Sequence, residues 1–284
     1  MILVTSAYGN VGRQLIPQLI KKGLDVRAMD INPDVEKLKE IGVKEIIVGD
    51  ASKKEIVEQA ITGCDQVMYI PPMFTYIETK MAKLAIDTAV KQKVRQFVMM
   101  SVTHSNMSTL LQHTQKLKAE EYLIYAGLKH QLNYTILQPM HYNHNFNVNA
   151  VHATGEYTSF YDIHTKLSYV DGEDVGMVAA KVLSEDGHNN ATYELVNHDF
   201  YSPQDLVDVY NEVSGKTAIA KHVEIEDFLD MIHFTDSYGR ECFRALADTY
   251  SRYGIAGNPN VLTWLLGRKP TSFKEYVIRE LGKM

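Results

Sequence analysis

Residues 2–12 read ILVTSAYGNVG, an apolar run that passes Ser6 and Gly9 to reach Gly12, and residues 13–23 continue as the helix-like RQLIPQLIKKG. A strand that turns straight into a helix around closely spaced glycines is the local geometry of a phosphate cradle. Backbone N–H groups and the positive end of the helix then face one anion. In the three-glycine form of this loop the first glycine serves the tight turn, the second the approach of phosphate, and the third the close packing of helix on strand. Here Ser6 stands in the first place, while Gly9 and Gly12 take the other two. A turn that keeps an ordinary negative φ tolerates serine, so the cradle is expected to be weakened and not lost. Its expected contacts to a dinucleotide come from Thr5, Ser6, Tyr8, Gly9, Asn10, Val11 and Gly12.

The strand-to-helix rhythm repeats. Six runs, ILVT, DVRAMDI, KEIIVGD, CDQVMYI, RQFVMMS and NYTILQP, are separated by helix-like segments. They predict an α/β chain with a doubly wound parallel sheet. Helix punctuation agrees: Asn32-Pro33 precedes DVEKLKEIG, Ser52 is the expected N-cap with Glu55 three residues on, and Gly23, Gly42 and Gly63 fall at C-terminal ends. After Pro139 the rhythm breaks into HYNHNFNVNAVHATG, and short strands then alternate with helices. This predicts a dinucleotide-binding domain over residues 1–140 and a smaller C-terminal α+β lobe over 141–284, with some elements able to return to the first domain.

Composition narrows the functional classes. A net charge of −6 without a basic block disfavours nucleic acid as a partner. Cys64 and Cys242 lie far apart with no CxxC pairing, which suits a reduced, cytoplasmic setting. No basic segment precedes the apolar start, and no run approaches the ~18 apolar residues of a membrane span, so secretion and membrane insertion are not expected.

Several stretches agree in order and spacing with one family: VTSAYGNVG at 4–12, VRAMDINPD at 26–34, Gly49-Asp50, KLKAEEYLIYAGL at 116–128, YTILQP at 134–139, LSYVDGEDVG at 167–176 and LLGRKPTSFKEYVIREL at 265–281. Together they resemble the NmrA-like branch of the atypical short-chain dehydrogenase/reductases over nearly the whole chain. The resemblance implies a Rossmann fold, NAD(P) binding and oxidoreductase chemistry, with Asp50 and Pro71 on the cofactor. Asp30 lies 18 residues beyond Gly12, where an acidic side chain accepts hydrogen bonds from ribose hydroxyls. The family's NADP-using members tend to carry arginine where Ile31 stands. NAD(H) is therefore favoured, with NADP(H) as the alternative should Arg27 reach round from its strand.

The catalytic positions are less complete. Where the family places YxxxK, this chain has Gln112 and Lys116, so Lys116 is the expected contact to the nicotinamide ribose and glutamine cannot act as a general acid. His113 becomes the alternative acid if the helix is shifted by one residue, and Lys118 the alternative lysine. Ser101 closes the fifth strand and is expected to hydrogen-bond substrate. Pro71 and Pro72 stiffen the loop after the fourth strand, and Met73 and Phe74 offer apolar surface to a planar ring or close the core. In the HYNHNF run, Asn145 matches a recurrent substrate-loop asparagine, with Tyr142 and Phe146 as aromatic walls. No metal is expected from His141, His144 and His152, because no carboxylate or cysteine joins them. Asp174 is expected to anchor the first helix of the lobe. Two functions stay open: an NAD(P)H-dependent reductase of a small apolar electrophile such as a quinone, and a dinucleotide-binding regulator that reports to a protein partner. A nucleotide-sugar epimerase is weakened by the lost YxxxK.

Overall fold

The computed structural model describes residues 1–284, which divide into two compact units. The first unit comprises residues 1–106, 113–138 and 172–193, and the second residues 107–112, 139–171 and 194–284.

The first unit is built on β1 (Ile2–Val4), α1 (Asn10–Lys21), β2 (Val26–Asp30), β3 (Glu45–Val48), α2 (Lys54–Ile61), β4 (Gln66–Tyr69), α3 (Glu78–Lys91), β5 (Gln96–Met100), α4 (Leu111–His130) and β6 (Asn133–Pro139). β1 pairs in parallel with β2 and β4, β2 with β3, β4 with β5, and β5 with β6. This gives the order 3-2-1-4-5-6, to which a later strand adds beside β6 to make seven. The order reverses between β1 and β4, and ligands of such sheets gather outside the carboxyl ends of the strands at that reversal. Leu3, Met29, Val67, Phe97 and Met99 face one side, where Val57, Ile61, Ala85, Ile86, Ala119 and Leu123 cover them. Alternation sends Ile2, Val4, Ala28 and Met68 to the other side, all buried. There α1 packs against α6 (Gly172–Ser184) so closely that a Cβ on Gly176 would lie 3.0 Å from the Leu15 Cα.

Local chemistry explains the boundaries. Asn32 caps a 3₁₀ segment, Pro33–Ile41, by accepting from the Asp34 N–H, and Gly42 closes it at φ +102°. At α2 the expected cap moves by one residue: Lys53 is the N-cap, without a side-chain bond. The Ser52 N–H donates to Asp50 Oδ1 at 2.8 Å, which holds the serine in the preceding turn. Asp174 is buried on α6, and α6 belongs to the first unit and not to the expected lobe.

The second unit contains β7 (His141–Tyr142), α5 (Val148–Thr154), β8 (Glu156–Ser159) and β9 (Leu167–Val170). After β10 (Ala191–Leu195), the strand that adds to β6, come β11 (Phe200–Tyr201), α7 (Pro203–Ser214), β12 (Ile219–His222), α8 (Ile225–Met231), α9 (Ser237–Tyr253), α10 (Asn260–Leu266) and α11 (Phe273–Leu281). β9 pairs with β7 in parallel and with β11 antiparallel, and β8 pairs with β12. Capping boxes start α7 at Ser202 and α11 at Ser272. Arg279 of α11 grips the buried Asp171 with two bonds of 3.1 and 2.9 Å. No helix is long and apolar enough to cross a membrane.

Candidate functional site

The loop after β1 lies at the sheet reversal and is tied to the loop after β4. Thr5 Oγ1 and Ser6 Oγ both donate to the Ile70 carbonyl, at 2.9 and 3.0 Å, and the Ile70 N–H donates back to Thr5 Oγ1. Ser6 does not keep a negative φ as expected from its β-carbon; it sits at φ +46°, in the left-handed region. That conformation costs a non-glycine residue about 1–2 kcal/mol, and the hydroxyl bond to Ile70 offsets part of it. Gly12 has no alternative: a Cβ there would lie 2.3 Å from the Ala7 carbonyl oxygen. Gly9 is the N-cap of α1, and a Cβ on it would meet the Ser6 carbonyl oxygen at 3.2 Å. The first N–H groups of α1, at Asn10, Val11 and Gly12, have no acceptor within the helix, which is the arrangement that can receive an anion.

Asp30 ends β2 beside this loop. Its Oδ2 accepts from the Tyr8 N–H at 2.8 Å and its Oδ1 from the Asn32 N–H at 2.9 Å, so one carboxylate fixes both turns. The Arg13 guanidinium lies 5.3 Å above the Tyr8 ring and donates to Asn10 Oδ1. Arg27 does not reach round: it is bound to Glu45 and to the Ala60 and Thr62 carbonyls at the C-terminal end of α2. Ile31 is exposed. Asp50 is held below the usual carboxylate range by the Ser52 backbone and side-chain hydrogen bonds.

A buried polar group occupies the carboxyl ends of β4 and β5. Ser101 donates its hydroxyl to Glu120 Oε1, which also accepts from Gln138 Nε2 at 2.9 Å, and Ser105 donates to Glu120 Oε2 at 3.1 Å. With its one proton so engaged, the Ser101 oxygen presents lone pairs to any ligand. His113 is buried, with Nδ1 3.0 Å from the His104 carbonyl oxygen, and burial holds its imidazole down at about 4. It is therefore neutral near pH 7, with its ring proton on Nδ1 facing that carbonyl. Lys116 Nζ forms an ion pair of 2.7 Å with Glu78 Oε1 at the start of α3. Gln112, one turn before Lys116, is buried with Oε1 lacking a hydrogen-bond partner. Pro71 is buried after β4, whereas Met73 is exposed.

Glu78 has no place in the sequence expectations, and Glu120 appears there only within the quoted stretch KLKAEEYLIYAGL. Glu78 opens a helix whose pattern reads as an ordinary acidic first turn, so nothing local signals its burial. Glu120 had a signal, an acidic residue one turn beyond Lys116 among the apolar Ala119 and Leu123.

In the second unit, Asn145 Nδ2 meets His141 Nε2 at 3.0 Å, and Tyr142 stacks on His144 with centroids 4.8 Å apart. His152 Nδ1 lies 3.0 Å from the Tyr210 hydroxyl. The three histidines thus face amide and aromatic neighbours. Phe146 is buried against Tyr157 and Phe273.

A doubly wound parallel sheet with a glycine-shaped strand-to-helix loop at its reversal defines a Rossmann-type α/β protein. The chain belongs to the NmrA-like family, which it matches over residues 1–278. It is 27% identical over 248 residues to the photosystem II assembly factor Ycf39 of Cyanophora paradoxa, covering 84% of this chain and 75% of the relative. It is 23% identical over 287 residues to quinone oxidoreductase 2 of Escherichia coli (strain K12), covering 98% and 97%. The crystal structure of an NADPH-dependent quinone oxidoreductase from Escherichia coli with NADPH superposes with a TM-score of 0.79 at 21% identity, over 99% of this chain and all of the other.

Proposed function

We propose that this protein binds a nicotinamide dinucleotide, NADH in preference to NADPH, and reduces a small apolar electrophile of the quinone type. The observation that carries the reading is the cradle. Gly12 is forced by a 2.3 Å approach to backbone, and the open N-terminus of α1 stands at the sheet reversal. Thr5 to Gly12 would hold the pyrophosphate, Asp30 the adenosine ribose, and Lys116 the nicotinamide ribose. A bound dihydronicotinamide supplies a hydride. The chain supplies position; Ser101, its proton held by Glu120, would accept only from a donor such as the hydroxyl of the reduced product. With Gln112 where a tyrosine acid would stand, the proton for a reduced oxygen comes from solvent, which suits a quinone. Quinone oxidoreductase 2 of Escherichia coli, similar in sequence and in structure, supports the reductase part of this reading, while its own cofactor is NADPH. The NADH preference rests on the Asp30 charge, the exposed Ile31 and the commitment of Arg27 elsewhere.

Gln112 also favours a second reading, binding without turnover and signalling to a protein partner, and one relative is named an assembly factor. Titration with NADH and NADPH followed by turnover on a panel of quinones separates the two. Tight NADH binding with no turnover leaves the regulator, and an Asp30→Ala variant with an unchanged NADPH-to-NADH affinity ratio removes the cofactor preference.

A further inference from the structure

Glu78 is a buried carboxylate of the first unit. Its side chain is 1% exposed, Oε1 takes the Lys116 ammonium, and Oε2 has no hydrogen-bond partner. Burial raises its carboxyl above the usual range, and the Lys116 charge only partly pulls it back. The Tyr69 hydroxyl at the end of β4 is also without a partner, and burial together with the Glu78 charge pushes that phenol up. A lone buried carboxylate costs several kcal/mol even when paired on one side.

Clamping α3 to α4 does not require such a group, because the adjacent Thr79 already does it. Its hydroxyl donates to the Gln115 carbonyl at 3.0 Å and to Gln115 Oε1, and its N–H to the same Oε1 at 3.3 Å. The ion pair is also asymmetric. The anion is sealed behind, while the lysine side chain is 13% exposed, and one of its three N–H donors is used by Glu78.

We propose that Glu78 is a positioning residue: it anchors the Lys116 ammonium at the carboxyl end of the sheet so that the remaining donors meet the nicotinamide ribose. This assignment rests on the cofactor reading above. The other titratable groups facing the pair are Tyr69 from β4 and His113 on α4, and His113 is in turn approached by His104 from the loop before it.

Calorimetry of the full chain with NADH and with AMP, which lacks the nicotinamide ribose, tests it. Glu78→Gln keeps the size and an acceptor while removing the charge. NADH is expected to bind about 10-fold more weakly and AMP within about 2-fold of the unmodified protein. Adding Glu78→Gln to Lys116→Met should then change nothing further. Thr79→Val, which breaks only the neighbouring clamp, should lower thermal stability and leave the NADH-to-AMP ratio unchanged. An unchanged ratio in Glu78→Gln, or additive losses in the double variant, overturns the assignment and leaves Glu78 a helix clamp. Should Glu78→Gln not fold, the unmodified chain decides. Its NADH affinity should fall on acidification below neutral pH, as the raised Glu78 carboxyl takes up a proton, also in a His104→Gln background, more steeply than that of Lys116→Met; equal slopes overturn the assignment. Failure of the unmodified protein to bind NADH overturns the cofactor reading and this assignment with it.

Discussion

The loop after β1 and the group at the ends of β4 and β5 lie along the same edge of one sheet but are made of different materials. The loop is backbone. Its shape comes from Ser6 in a left-handed conformation, Gly9 at the helix start and Gly12 against the Ala7 carbonyl. The other group is side chain: Glu78 on Lys116, and Ser101, Ser105 and Gln138 on Glu120, from elements far apart in sequence. A site made from backbone fails through steric overlap, whereas one made from buried charge fails through desolvation.

Removing one partner of the buried pair is expected to have the largest effect. Lys116→Ala strands the Glu78 carboxylate and should lower stability by about 3–5 kcal/mol at neutral pH, as read by urea denaturation, and turnover of an accepted quinone by about 10-fold or more. Part of the stability loss should be recovered on acidification, because a carboxyl raised by burial is favoured folded when protonated. A loss below about 1 kcal/mol would show that the pair behaves as a surface ion pair and erase the contrast with the loop.

His113 gives a second, slightly smaller handle with the opposite slope. An imidazole held near 4 in the fold, against 6.5 when free, contributes stability that is full above pH 6.5 and is lost as pH falls towards 4. The loss amounts to about 3 kcal/mol, and His113→Gln should flatten that part of the pH–stability curve. An unaltered curve would place His113 in water.

On the backbone side, Gly12→Ala should cost about 1–3 kcal/mol through overpacking and abolish NADH binding. Gly9→Leu should remove binding with the fold retained. The smallest effect is expected at Ser6→Gly. Relief of the left-handed strain, about 1–2 kcal/mol, is opposed by loss of the Ile70 hydrogen bond and by the greater freedom of glycine in the unfolded chain. The net change should be under about 1 kcal/mol. A stabilisation above that would mean that the serine hydroxyl contributes little to joining the two loops.

What could be read in advance follows the same division. The six strands, the Asn32 cap and the Gly42 stop were legible because each is written in a few adjacent residues. The tight strand-to-helix loop was legible in Gly9 and Gly12 but not in the dihedral angle of Ser6, which depends on contacts with the loop after β4. Arg27 shows the limit from the other side. A basic residue in β2 reads as available to a phosphate, yet the carbonyls that engage it, at Ala60 and Thr62, end a helix more than thirty residues on. Glu78 and Lys116 stand 38 positions apart, and no periodicity in either helix announces their meeting.

The packing of α6 on α1 bears on how the chain is made. The helix that follows the glycine loop meets α6 only when residues 172–184 have been synthesised, some 150 residues after α1 itself. Until then the face of α1 that meets Gly172 and Gly176, at Gln14, Leu15 and Gln18, lacks its partner in a nascent chain or in one truncated near residue 140. The order of the strands along the gene lets the sheet assemble from its amino end, but the layer that α1 shares with α6 is completed late.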